Sequence, residues 1–154
     1  MALVLVTAGC VNNADAVADL EGLFPTLAEY GVTNFYGTDE CEYIVYERGA
    51  FVTVPGAFDC DIDVEGPQQR SAFDDQARAD LDAIYRESER HGRRIQQAYP
   101  EYGPDGSIIG GSFGFEVCRS YIFEPGWSEL PEADSQTYTA IDADWWEVTC
   151  GGML

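Results

Sequence analysis

Two stretches of helical apolar periodicity constrain this chain more than any other feature. Val17, Leu20, Leu23, Phe24, Leu27 and Tyr30 recur at steps of three and four residues, the spacing that lines one face of an α-helix. Asn12-Asn13-Ala14-Asp15 precedes them, with a capping residue and an acid for the first turn. Gly31 stops the run. The pattern predicts a helix over 13–30. Pro25 lacks an amide donor and is expected to kink or divide it, with a break near Phe24. The second stripe is Phe73, Ala77, Leu81, Ile84 and Tyr85. Ser71 opens it, Asp74 takes the capping-box position and Gly92 ends it. Asp74, Arg78, Asp82 and Arg86 alternate in sign at four-residue steps, which predicts a salt-bridge ladder along the exposed face. A helix with one apolar face needs a second layer to cover it.

The rest of the chain supplies that layer as strands. Thr33 to Tyr36 is a short strand candidate. Cys41 to Glu47 and Ala50 to Val54 flank Arg48-Gly49 and read as a hairpin. Pro55 to Gln69 is irregular and acidic. Arg94 to Tyr102 leads into Gly103-Pro104-Asp105-Gly106, a strong turn signal. Ser107 to Glu116 and Val117 to Phe123 follow, then a loop over 124–136. Thr137 to Ile141 and Asp144 to Thr149 close the pattern, and Trp145-Trp146 gives one bulky side chain to each face of the sheet. The expected order is α-βββ-α-ββββ: an α+β domain with two helices on one face of a mostly antiparallel sheet of about six or seven strands. Each half is a helix followed by strands, without a residue-level repeat to mark a duplication.

The 154 residues carry 28 acids against 8 arginines, no lysine and a formal charge of −20. A surface of that sign repels phosphate, so nucleic acid is an unfavourable partner. Nowhere does an apolar run reach 18 residues, the length a spanning helix needs. Any membrane attachment is expected through lipid.

The first residues suggest how. Leu3-Val4-Leu5-Val6 is apolar and Thr7-Ala8-Gly9 is small, directly before Cys10. That pattern fits the end of an export signal. Thr7-Ala8-Gly9-Cys10 resembles the lipobox of bacterial lipoproteins, with Thr7 where leucine is usual. The resemblance implies a diacylated Cys10 as the first mature residue, an address on the outer face of the bacterial cell membrane, and an extracytoplasmic domain. The chain is similar to small uncharacterised lipoproteins of high-GC Gram-positive bacteria, without a more specific family. Residues 1–10 are then a signal remnant and 11–154 a single domain. The alternative reading makes residues 2–8 an edge strand and Cys10 a core thiol. Removing Cys10 leaves Cys41, Cys60, Cys118 and Cys150, an even set that suits two disulfides in an exported protein. The hairpin at Arg48-Gly49 favours Cys41–Cys60. Antiparallel pairing of the last strands favours Cys118–Cys150.

Catalytic signals are weak. Gly110-Gly111-Ser112-Phe113-Gly114 matches the G-x-S-x-G expression of a nucleophile elbow. That device needs a helix after the serine and a later histidine, whereas here a strand follows and His91 comes first. Asp59, Asp61, Asp63 and Glu65 alternate and would share one side of an extended segment. They make weak metal candidates, because Gly66 and Arg70 do not fit a calcium loop. His91, Arg93 and Arg94 form a basic group where the second helix ends, as its dipole favours. No cofactor is expected. Trp127, beside Pro125-Gly126, is a candidate recognition residue. The functional expectation is a lipid-anchored binding or interaction domain whose protein or small-molecule ligand is open. A carboxylate-dependent hydrolase built on residues 59–65 is the first alternative. An acidic cytosolic protein of a halophile is the second.

Overall fold

A computed structural model describes residues 12–54, 70–126 and 136–150. The fold is α+β, two helices against a mostly antiparallel sheet. Helix α1 (Asn13–Tyr30) begins on Asn12, whose side chain accepts from the Ala14 amide, and ends on Gly31 at φ 60°. That left-handed cap is where glycine replaces other residues at least cost. Of the predicted stripe, Val17, Leu20, Leu23 and Leu27 are buried, together with Ala16, while Phe24 and Tyr30 are partly buried against the same core. The helix runs through Pro25 without the expected break near Phe24. The proline sits on the exposed side of the helix, where water can serve the carbonyl left without a donor. Leu23 and Leu27 meanwhile hold the opposite face in the core.

Helix α2 (Asp75–Arg90) starts later than Ser71. Asp74 is itself the N-cap and accepts from the Ala77 amide at 2.6 Å. The predicted ladder does not form between Asp74 and Arg78. Asp74 binds Arg48 at 3.1 Å, and Arg78 pairs with Glu42. These charges dock the helix on the sheet instead of decorating its outer face.

The sheet has nine strands among the described residues, more than the six or seven expected. In chain order they are β1 (Asn34–Gly37), β2 (Glu42–Tyr46), β3 (Gly49–Val52), β4 (Arg70–Ala72), β5 (Gln97–Tyr102), β6 (Ile108–Glu116), β7 (Arg119–Phe123), β8 (Gln136–Ala140) and β9 (Trp145–Cys150). The spatial order is β4-β3-β2-β1-β5-β6-β7-β9-β8. The extra strand before α2 is β4, three residues paired parallel to β3. Arg-Ser-Ala has little intrinsic strand preference, so its state comes from the partner. At the other end β9 inserts between β7 and β8.

The sheet therefore unrolls from its centre in two directions, and β1 and β5 meet at the seam. They pair only through Phe35–Ala98 and Tyr36–Gln97. Each helix crosses to the half it does not precede in sequence. Phe24 of α1 packs at 5.0 Å from Phe113, 5.6 Å from Phe123 and 5.9 Å from Trp145, all on β6, β7 and β9. Tyr85 of α2 packs at 5.5 Å from Phe35 of β1, and Asp80 accepts from the Tyr46 hydroxyl of β2. A single core joins both helices to Phe35, Ile44, Phe51, Ala98, Phe113, Tyr121 and Trp145. The opposite face carries a smaller buried group, Cys41, Tyr43, Val45, Ala50 and Val52.

Candidate functional site

The seam between the half-sheets opens at one end into a cleft of about 430 Å³, within the size range of small-molecule sites. Tyr36, Gly37, Thr38, Asp39, Glu40, Arg94, Gln96 and Val117 line it. Three segments far apart in sequence build its walls.

The first wall is a tight turn. The Thr38 amide donates to the Cys41 carbonyl at 2.8 Å, and the Thr38 hydroxyl accepts from the Cys41 amide at 3.3 Å. This closure leaves Asp39 and Glu40 at the corner, where both are exposed. Gly37 precedes the turn, and any other residue there would collide with α2. A Cβ at this position would stand 2.0 Å from the Tyr85 hydroxyl.

The second wall is the loop after α2. Ser88, buried in the last turn, donates its hydroxyl to the Arg93 carbonyl and accepts the Ile95 amide at 2.8 Å. Ile95 is fully buried. The clamp fixes Arg94 and Gln96 on either side of it. Arg94 lies over the Tyr85 ring, 3.8 Å from its centroid, a stacking that suits a guanidinium. Gln96 is locked through its backbone, accepting from Gly37 at 2.7 Å and donating to Gly114 at 2.8 Å. Burial pushes the Tyr85 hydroxyl beneath Arg94 up to about 12.

The third wall is the turn between β6 and β7, where Val117 is 71% exposed. Its neighbour Cys118 lies at disulfide distance from Cys150, with Cα atoms 5.1 Å apart. The Cys150 amide also donates to the Cys118 carbonyl at 3.1 Å. The register is the one expected: β7 pairs antiparallel with β9, with Arg119 opposite Thr149, which sets Cys118 against Cys150.

Charge in the cleft is divided. Arg94 comes within 3.9 Å of Glu42, but Glu42 is already engaged by Arg78. Among the described residues Asp39 and Glu40 have no ion-pair partner. The Gln96 side-chain carbonyl is buried without a hydrogen-bond partner among the described residues. The cleft thus combines a cation, two carboxylates, and an aromatic and an aliphatic surface. It can bind and orient. Its Thr38 hydroxyl is held by Cys41, and no histidine, cysteine or serine lines it.

The sequence signals point elsewhere. Cys10, Cys60, the acids Asp59, Asp61, Asp63 and Glu65, and Trp127 lie outside the described residues. Cys41 is a disulfide cysteine and is buried. Ser112 lies within a continuous strand, opposite Tyr99 and Ile122. It opens on a separate cavity of about 240 Å³ with Glu101 and Glu124 but no histidine. No helix follows Ser112, so the elbow geometry does not arise. The basic group at 91–94 splits three ways. His91 ends α2, contacts Glu87 at 3.1 Å and packs where a Cβ on Gly22 of α1 would not fit. Arg93 reaches Asp19 of α1 at 3.4 Å. Arg94 leaves the helix end for Tyr85, so the dipole does not account for it. Tyr36, Gln96 and Val117 carried no sequence signal as a site. Only Arg94, one of 8 basic residues in an acidic chain, stood out.

Among the described residues no three His, Cys, Asp or Glu side chains gather as a metal site requires. No described helix is long and apolar enough to cross a membrane. Compared with protein families, curated proteins and solved structures, the chain matches none.

Proposed function

We propose that this protein is a lipid-anchored, extracytoplasmic binding domain whose ligand site is the seam cleft. The cleft carries the reading: a clamped loop, a closed turn and a tethered hairpin fix polar groups of both signs around one cavity. Preorganised polar groups in a concave apolar setting are what a binding site needs. The cysteine pair at disulfide distance supports an oxidising compartment. The lipobox-like Thr7-Ala8-Gly9-Cys10 supports the anchor.

The test is protein-observed NMR on the labelled domain against a panel of amino acids, monosaccharides, nucleosides, linear amines and carboxylic acids. The expected result is saturable shifts at residues 36–40, 94, 96 and 117 with at least one class. Shifts confined to other surfaces, or none with any class, overturn the assignment of this cleft.

A further inference from the structure

We propose that the cleft takes a zwitterion, namely a free α-amino acid with an apolar side chain. The proposal rests on the cleft being the binding site and names what fills it.

Three features of the walls point to opposite charges on one small molecule. Arg94 is the second guanidinium drawn to one carboxylate: Arg78 pairs with Glu42, and Arg94 stands off at 3.9 Å with its side chain 54% exposed. Stacked on Tyr85 it is held in one orientation, and a planar guanidinium so placed is suited to a carboxylate. On the first wall the groups are acceptors. Asp39 and Glu40 lack ion-pair partners among the described residues. An ammonium group supplies both charge and donors to these carboxylates. The third feature is apolar. Val117 is the most exposed large hydrophobic residue described, and it shares the cleft with Tyr36. An aliphatic side chain against these two would remove both from water.

Other charge types fit less well. A simple anion meets Asp39, Glu40 and a net charge of −20. A simple cation meets Arg94. A neutral polyol uses the hydrogen-bonding groups but leaves Val117 exposed.

Isothermal titration of the folded domain tests the proposal with three probes: L-leucine, 4-methylpentanoate without the ammonium, and 3-methylbutylamine without the carboxylate. Leucine should bind saturably and each analogue about tenfold or more weaker, since each loses a charge-assisted contact. R94Q should weaken leucine by about tenfold and leave the amine unchanged. V117S, at an exposed turn that does not hold the fold, should weaken leucine by about threefold. Equal affinity for all three probes overturns the proposal, as does leucine binding unchanged by both substitutions. If leucine fails while another class in the NMR panel shifts residues 36–40, 94, 96 and 117, the zwitterion is wrong and the binding site stands. If no class moves them, both fall.

Discussion

Single side chains at the helix–sheet boundary set the conditions under which this fold holds. Tyr46 of β2 donates to Asp80 at 2.7 Å, and Gln76 donates to the other Asp80 oxygen at 2.8 Å. That satisfies a carboxylate only 8% exposed, which would otherwise be costly to bury. Tyr102 of β5 donates to the Val32 carbonyl at 2.6 Å, closing the chain that leaves α1. Burial pushes the hydroxyls of Tyr46, Tyr85 and Tyr102 up to about 12, and at Tyr46 the Asp80 carboxylate adds to it. The ordinary tyrosine value is about 10, so the folded state holds these protons more tightly than the unfolded one. Their contribution is complete below pH 10 and is lost as pH rises from about 10 to about 12. The urea midpoint should therefore fall across that window, and less steeply in Y46F, which has one such proton fewer. A midpoint that stays level to about pH 11.5, or rises, would contradict this burial.

At the scale of elements, α1 is the clearest case of sequence and structure agreeing on extent and differing on continuity. Its ends and apolar stripe follow from Asn12, Gly31 and the leucine spacing. Its continuity through Pro25 depends on which side of the helix meets solvent, and that is known only once the sheet is in place. The missing hydrogen bond persists as a cost, so P25A should raise the unfolding free energy by about 1–3 kcal/mol, measured by urea denaturation. No change or a loss would mean that the proline ring itself supports the packing around Phe24. The same distinction runs through the rest of the fold. The helices, the Arg48-Gly49 hairpin and the Gly103–Gly106 turn are local signals and could be read from the chain. Strand β4 could not, because three weak residues become a strand only by lying beside β3. The cleft could not either. Thr38 to Glu40 reads as an ordinary turn and Arg94 as a helix-end cation, and only the β1–β5 seam brings them together with Val117.

The molecule as a whole is two half-sheets joined along a short ladder, each covered by the other half's helix. This crossing ties the halves together at the seam, since one core joins both helices to strands of both halves. A cleft at such a junction can be held rigid from both sides, which suits a binding domain. The acidic surface, the tethered Cys118–Cys150 hairpin and the lipobox-like Cys10 fit such a domain held outside the cell on a lipid. Intact-mass and peptide mass spectrometry of the protein isolated from its own cells tests that account most directly. It predicts a chain beginning at Cys10 with a diacylglyceryl group, and the mass deficit of two disulfides across Cys41, Cys60, Cys118 and Cys150. A chain retaining Met1, with five free thiols and no lipid, would contradict it.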